Sequence, residues 1–515
     1  MTALYRTATI RRIEQDRIAA LGGGVLMARA AAAVADATAR LARARARATP
    51  VVALVGPGNN GGDALLALAL LRERGFPVHA LALSERPPSA DDARAVWEHW
   101  HARGGSHAAL ATLGPWLDRG AILIDGLFGI GLARALGGDA AYAALAAAEA
   151  RVDVVAVDVP SGLDAETGAV VGGADAVAVR ALRTVTMIGD KPGLHTGRAA
   201  DHVGALEVAP LGIVASAGDP PPDGSLFGED DAAALRPHRP RDSHKGSFGS
   251  VVVVGGAAGT QGAALLAALG AQAVGAGKVF VASPDGRVFD PGQPQLMTRA
   301  LDAPFAGDEI VCAGCGLGRS APARHALERA LRSAAPIVVD ADALNLVAEE
   351  PALSRRLAAR AAASILTPHP LEAARLLGVG AREVQSDRLG AALALATCLN
   401  ACVVLKGAGS VVATPAGAWS IVASGAPALA TAGTGDVLAG VIAALLAQRV
   451  PAPQAACLGA WLHGRAGELW QLAHAYGAGL SAAQLPALVA SALNALPSRP
   501  SLRSPLPDTN RNPTP

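Results

Sequence analysis

The chain has 515 residues, 51% hydrophobic and 17% charged, with a formal net charge of +1. At about 100–200 residues per domain this length suggests roughly two to four domains, and near-neutrality argues against nucleic acid or an acidic membrane surface as a partner. The apolar content comes largely from Ala and Val, with no unbroken run of about 20 apolar residues, so no transmembrane helix is expected. The opening MTALYRTATIRRIEQDR lacks an apolar core followed by a cleavage site, which leaves a cytoplasmic enzyme as the expectation. All five cysteines (Cys312, Cys315, Cys398, Cys402 and Cys457) fall in the second half, and the odd count argues against a disulfide framework. Cys312 and Cys315 form a CxxC without a second pair to complete a zinc set, so CAGCGLG reads as a tight strand-to-loop turn filled by small residues.

In chain order, the first half predicts strands at 50–56, 77–83, 121–127 and 152–159, with a helix from Asp63 to Gly75. ASAGDPPPDGSL (215–226) follows. Its three consecutive prolines suit neither a helix nor a central strand and predict an interdomain linker. The second half predicts strands at 250–256, 278–283, 309–314, 336–342, 364–369 and 402–407. From Pro497 the Pro/Ser/Arg/Asn-rich composition cannot build a core, so 498–515 is expected to be a disordered tail. Two domains result, 1–214 and 227–497. Continuous apolar strands alternating with helices imply α/β domains whose parallel sheets are covered on both faces. Ligands then bind beyond the carboxyl ends of the strands. GPGNNGGD, DGLFGIG, DVPSGLD, CAGCGLG, DADALN, TPHP and KGAGS each follow a predicted strand.

Gly56–Asp63 (GPGNNGGD) is neither a dinucleotide GxGxxG nor a Walker loop, lacking the Gly-Lys-Ser/Thr ending. Its glycines allow close backbone approach to a ligand, and Asn59 and Asn60 offer amide groups to a ligand or a hard cation. The plainer reading is a helix start with Asp63 in its first turn. Asp125 and Asp158 end two strands. One carboxylate can hold a monovalent cation with Asn60 and Ser161 while the other moves protons, or both can cap turns. Asp153 and Asp164 read as turn caps or solvated charges.

The runs GPGNNGGD, LIDGLFGIGL, VAVDVPSGLDAETG and RTVTMIGDKPGLHTG, spread through residues 10–214, together resemble the YjeF N-terminal domain, the NAD(P)H-hydrate epimerase. The resemblance implies a Rossmann-like three-layer domain that interconverts the R and S forms of hydrated NADH or NADPH (NADHX, NADPHX). It implies a potassium ion on Asn60, Asp125 and Ser161. It also implies substrate contacts from Asn59, Asn60, Gly61, Gly62 and Asp63 and from Gly129, Ile130, Gly131, Leu132, Ala133, Arg134 and Ala135, with Asp158 against the reacting ring. Lys191 is a second proton-transfer candidate, or else a surface or turn charge. Ala64 stands where this family often has Gly.

In the second half, Asp242–Gly256 (DSHKGSFGSVVVVGG) leads into the first strand and then to Gly259–Ala264 and a helix. Lys245 there is a phosphate ligand or a solvated charge. His369 sits between prolines at a strand end, and Lys406–Ser410 (KGAGS) has the character of a phosphate loop between strands. Thr431–Asp436 (TAGTGD) opens an apolar helix, where free N–H groups and the helix dipole favour an anion. An Asp in the first turn can take a proton from an attacking hydroxyl.

HKGSFGSVVVVGG, GLG, VVDADALN, LTPHPLEAARLLG, VLKGAGSVVATP, TAGTGDVLAGVIAALLAQ and AWLHGRAGE, over 240–470, resemble the ribokinase-like superfamily. Within it they are most similar to the YjeF C-terminal domain, the ADP-dependent (S)-NAD(P)H-hydrate dehydratase. The resemblance implies a ribokinase-like three-layer domain with Ala263, Gly316 and His369 on the hydrated nucleotide. Lys406, Gly407, Ala408, Gly409, Ser410 and Gly435 would hold the adenine nucleotide, Asp436 would be the base in contact with substrate, and Mg²⁺ would assist. Gly425–Ala428 replaces an Asn-Pro-Gly-like run of many members. The expected partners are the hydrated nucleotides and ADP, with no nucleic acid or membrane, in a homo-oligomer. Two other readings stand beside this one: a small-molecule kinase sharing the Gly-Asp base, and a first domain that binds without catalysing.

Overall fold

The computed structural model describes residues 1–45, 49–213, 218–286 and 288–497. The strands in chain order are β1 (Thr2–Leu4), β2 (Val51–Val55), β3 (Val78–Ala82), β4 (His107–Ala109), β5 (Ile122–Gly126), β6 (Val154–Val157), β7 (Arg183–Met187), β8 (Ala205–Ala209) and β9 (Gly224–Phe227). They continue with β10 (Ser250–Val254), β11 (Lys278–Ala282), β12 (Met297–Thr298), β13 (Glu309–Ala313), β14 (Ile337–Val339), β15 (Ser364–Leu366), β16 (Cys402–Leu405), β17 (Val411–Ala413) and β18 (Trp419–Val422). The chain groups into two compact units, each discontinuous in sequence. One joins Thr2–Leu226 to Leu344–Ala423. The other joins Met1 and Phe227–Ala343 to the described residues from Ser424.

The first unit contains a seven-stranded sheet, β4-β3-β2-β5-β6-β7-β8, parallel throughout. Side chains alternate across it. Val51, Ala53 and Val55 meet the helices Val25–Arg43 and Asn59–Glu73, while Val52 and Leu54 meet the helix Gly138–Glu149 on the other face. Two covered faces explain why these strands read as unbroken apolar runs. The helix after β2 begins at Asn59, four residues before the expected Asp63. Gly61 makes that possible, since a Cβ there would stand 2.1 Å from the carbonyl oxygen of Gly56. Strands β4, β7 and β8 extend the sheet beyond the expected set.

The same unit holds the strand series β15-β16-β17-β18-β9-β1. The β15–β16 pair is parallel, but β16–β17, β17–β18 and β1–β9 are antiparallel, an edge the strand–helix alternation did not announce. Residues 215–217 of the expected break, and the expected tail 498–515, lie outside the described residues. The break's C-terminal end is strand β9, paired with β1 as Thr2↔Leu226, Ala3↔Ser225 and Leu4↔Gly224.

The second unit is built on β14-β13-β10-β11-β12, parallel throughout. Strand β14 stops at Val339, three residues short of expectation, because Ala341 turns at φ 51° and opens the helix Ala341–Glu349. The helix Thr434–Ala447 is buried along nearly its whole length and packs on Gln261–Ala273. Two glycines let these backbones touch. A Cβ on Gly440 would stand 1.8 Å from the Ala267 carbonyl oxygen, and one on Gly270 2.3 Å from that of Val437. No single described helix is long and apolar enough to cross a membrane.

Gly440→Ala gains up to about 1 kcal/mol of helix propensity but pushes two backbones apart, an overpacking that typically costs about 1–3 kcal/mol. Urea unfolding of the variant is expected to show net destabilisation.

Candidate functional site

Every motif expected at a strand end is there. In the first unit Asp125 closes β5 and is fully buried. Its Oδ1 accepts the Ser161 hydroxyl at 2.7 Å and its Oδ2 accepts the Ser161 N–H at 2.8 Å. The Ser161 Oγ in turn accepts the Phe128 N–H at 2.9 Å. No cationic side chain pairs with Asp125 among the described residues. Burial pushes its carboxyl up from 3.8 to about 6, against the hydrogen bonds from Ser161. Asn60 donates its Nδ2 to the Val157 carbonyl at 2.8 Å, and its Oδ1 lies 2.5 Å from where a Gly129 Cβ would stand. Asn60, Asp125, Ser161 and the start of the Gly129–Ala135 loop therefore meet as the sequence suggested, with the Arg11 guanidinium on the Ile130 carbonyl at 3.2 Å. Gly131, Ala133, Arg134 and Ala135 are exposed, and Leu132 is half-buried.

Asp158 follows β6 in the left-handed region at φ 65°, uncommon for a non-glycine residue. Its Oδ1 accepts from Lys191 Nζ at 2.7 Å, the Met187 N–H at 3.0 Å and the Thr186 hydroxyl at 3.1 Å. Among the described residues its Oδ2 has no partner. Lys191 is a correction to the surface or turn charge weighed from sequence, because it is wholly buried. Its ammonium also reaches Thr186 Oγ1 at 2.7 Å and the carbonyls of Met187 and Gly189 at 3.1 and 3.2 Å. Two more acids stand close enough to feel Asp158. Asp63 falls one turn into the helix that starts at Asn59, not in its first turn as expected, and is pushed well above the usual carboxylate range by burial and then by Asp158. Glu14, on the helix Thr7–Leu21, is raised by burial and then by Asp158. Glu14 was missed because its helix carries no motif. Ala64 is buried in ordinary helical conformation, its methyl against Gly126, so its replacement of Gly strains nothing. Asp164 caps the Glu166 and Thr167 N–H groups as expected, and Asp153 pairs with Arg45.

Also in the first unit, His369 is the N-cap of the helix Pro370–Leu377. Its Nδ1 accepts from the N–H groups of Leu371 and Glu372 at 3.1 and 3.3 Å, so the ring proton sits on Nε2. The Lys406 N–H donates to the Pro368 carbonyl at 2.9 Å, which sets Lys406–Ser410 beside the His369 turn.

In the second unit Gly316 and Ala263 converge. A Cβ on Gly316 would lie 3.0 Å from that of Ala263, and the Gly316 carbonyl accepts from the Ala257 N–H at 2.7 Å. Asp436 lies in the first turn of Thr434–Ala447, whose N-cap Gly433 is left-handed, and Gly435 precedes it. The ligand-competent atoms of Asp436, Asp340 and Cys315 all lie within 4.8 Å of one another. Asp340 was not singled out from sequence, although it ends a predicted strand as Asp125 and Asp158 do. The Cys315 thiol is pushed well up, first by its hydrogen bond with Cys312 and then by burial and the neighbouring carboxylates, and both cysteines are buried in the turn. Lys245 is exposed.

Parallel sheets with acids and glycine turns gathered at their carboxyl ends place this chain in the α/β class. Residues 23–193 match the family model of the YjeF-related protein N-terminus, and residues 251–487 match that of the NAD(P)H-hydrate dehydratase. A Coxiella burnetii protein described as a bifunctional NAD(P)H-hydrate repair enzyme is 36% identical over 91% of this chain and 95% of its own length. An ADP-dependent (S)-NAD(P)H-hydrate dehydratase from Neisseria meningitidis is 44% identical over 49% of this chain and 89% of its own. A solved ADP/ATP-dependent NAD(P)H-hydrate dehydratase from Bacillus subtilis, co-crystallised with ATP and Mg²⁺, aligns over 53% of this chain and 98% of its own at 30% identity and a TM-score of 0.46. The chain belongs to the family of bifunctional NAD(P)H-hydrate repair enzymes.

Removing one partner from the buried Lys191–Asp158 pair strands a charge, at about 3–5 kcal/mol. Lys191→Met is expected to lose that much in urea unfolding, and adding Asp158→Asn to recover part of it.

Proposed function

We propose that residues 1–214 interconvert the R and S forms of hydrated NADH and NADPH, and that residues 227–497 dehydrate the S form using ADP. The relative that spans both halves and is described as bifunctional supports the pairing. The observation that carries the first activity is the asymmetry of Asp158: one oxygen saturated by Lys191, Thr186 and Met187, the other open. The C6 carbon of the substrate bears both a hydroxyl and the ring nitrogen, so it is a hemiaminal. Asp158 Oδ2 exchanges a proton there, the C6 centre opens or ionises, and addition on the other face inverts it. Lys191 keeps the carboxylate oriented. The Asn59–Asp63 turn and the Gly129–Ala135 loop hold the substrate.

Asn60 Oδ1, the Asp125 carboxylate and the Ser161 oxygens form an all-oxygen set around a buried negative charge, which suits potassium. Bound there, the ion supplies a fixed positive charge beside the substrate loops. In the second activity, Asp436 takes the C6 hydroxyl proton as that oxygen bonds to the terminal phosphorus of ADP and the bond to AMP breaks. Phosphate then leaves C6 with its bonding pair, C5 loses a proton, and the dihydropyridine is restored. Ala263, Gly316 and His369 contact the nicotinamide nucleotide, while Lys406–Ser410 and Gly435 hold ADP. The carboxylates of Asp340 and Asp436 offer the hard oxygens Mg²⁺ takes, whereas the Cys315 sulfur does not suit it.

The test follows recovery of reduced-nicotinamide absorbance from mixed R and S NADHX with ADP, ATP or neither. Asp436→Asn is expected to lose nucleotide-dependent recovery by about 10²–10⁴-fold while R–S exchange persists. Asp158→Asn is expected to slow recovery of the R form alone. ADP-dependent turnover retained in Asp436→Asn, or a stable phosphorylated product from the wild type, would overturn the dehydratase assignment.

Asp125 gives a second check. Its raised carboxyl favours the folded state most below its ordinary 3.8, and that advantage is lost as pH rises toward about 6. In potassium-free buffer the wild type is expected to lose stability relative to Asp125→Asn across this window. KCl, against choline chloride, is expected to raise the melting temperature of the wild type at neutral pH but not that of Asp125→Asn.

A further inference from the structure

The turn Gly407–Gly409 after β16 is shaped from behind by residues distant in sequence. At Gly407 φ is 145°, and a Cβ would lie 2.8 Å from both terminal nitrogens of Arg388. At Gly409 φ is 59°, and a Cβ would lie 1.8 Å from the carbonyl oxygen of His195. These glycines are thus required by protein atoms already in place, whatever else approaches the loop.

Arg388, the first residue of the helix Arg388–Cys398, is 1% exposed. Its Nη2 donates to the carbonyls of Leu405 and Lys406 at 3.1 and 3.2 Å, its Nη1 to Gln385 Oε1 at 2.8 Å, and its Nε to the Thr196 hydroxyl oxygen at 3.0 Å. Thr196, equally buried, passes its own proton to the Gly409 carbonyl at 2.8 Å. The next residue, Gly197, donates its N–H to the Ala408 carbonyl at 3.1 Å. A trans peptide sets its N–H opposite its C=O. With the carbonyls of Lys406, Ala408 and Gly409 drawn back, the N–H groups of Gly407, Gly409 and Ser410 turn to the opposite side. None of the three has a partner among the described residues, and Gly407 and Ala408 are exposed. Successive outward N–H groups make an anion-binding concavity.

We propose that Thr196 and Arg388 are positioning residues for the adenine nucleotide, holding the Lys406–Ser410 backbone with its N–H groups outward to receive phosphate. The proposal rests on the nucleotide-binding reading of that loop. It extends that reading, because Thr196 lies outside the dehydratase match at 251–487. The first half of the chain thereby contributes to the second reaction.

The full chain is titrated with ADP by calorimetry, each variant well below its own melting transition, beside steady-state assays. Thr196→Val keeps the shape but removes both the donor and the acceptor, Thr196→Ser keeps them, and Arg388→Lys keeps the charge but loses the fork. Losing a hydrogen bond tied to a charged group corresponds to about 10-fold. Thr196→Val and Arg388→Lys are expected to weaken ADP binding and raise its KM by that factor, with kcat at saturating ADP and the KM for the hydrated nucleotide unchanged. Thr196→Ser is expected to bind ADP as the wild type does. Wild-type affinity in both Thr196→Val and Arg388→Lys would overturn the proposal, and so would an equal loss in Thr196→Ser, which would mark a packing effect. If Thr196→Val does not fold, Arg388→Lys and Thr196→Ser decide. A wild-type chain that binds no ADP would overturn the nucleotide-binding reading itself.

Discussion

Two cations, Lys191 and Arg388, lie in the interior of the first unit at no more than 1% exposure, and much of the candidate chemistry is arranged around keeping them there. A buried charge is tolerated only when its donors all find acceptors. Lys191 meets this with the Asp158 carboxylate, one hydroxyl and two carbonyls. Arg388 has no carboxylate partner in its fork and relies on carbonyls, an amide and a hydroxyl. Burial accordingly lowers its pKa to about 10. Satisfying each cation dictates a local backbone path: the left-handed turn at Asp158 in one case, the tied-back carbonyls of Lys406–Gly409 in the other.

The same constraint separates acids that sequence alone treats as equals. Asp125 and Asp158 both end strands of one parallel sheet. Asp158 received the lysine, while Asp125 received only the Ser161 hydroxyl and backbone donors, and burial raises its carboxyl to about 6 despite them. Asp63, buried near Asp158, is also raised, first by burial and then by Asp158. One sheet edge thus carries a paired carboxylate with an open oxygen, a carboxylate suited to a bound cation, and an acid that favours its proton. That division of labour would suit the acid–base chemistry proposed for this sheet edge.

Much of the fold was legible because period and punctuation agreed. The Val/Ile runs behind β2, β3, β5, β6, β10, β11, β13, β14, β15 and β16 are continuous because both sheet faces are covered, and all but β3 run within two residues into Gly, Pro or Asp where the chain must turn. The misses have physical reasons. Strands β1 and β9 are short and pair with each other across more than 200 residues, with β9 also lying beside β18. The β17–β18 hairpin is antiparallel, so strand–helix alternation does not report it. Lys191 looks like a turn charge in GDKPG, and nothing local says that its side chain points inward.

The sequence by itself determined the class of each half, the order of the strand-end motifs and the kinds of residue offered there, because those depend on local periodicity and on what glycine, asparagine and aspartate can do at a turn. The tertiary structure alone decided which oxygen of Asp158 stays open, that Asp340 and Cys315 stand beside Asp436, and that Thr196 reaches the Lys406–Ser410 loop. These depend on hydrogen bonds between residues as far as 213 positions apart. Such partners are chosen by how layers pack and which buried polar groups remain to be satisfied, and no window of sequence contains both sides of that choice.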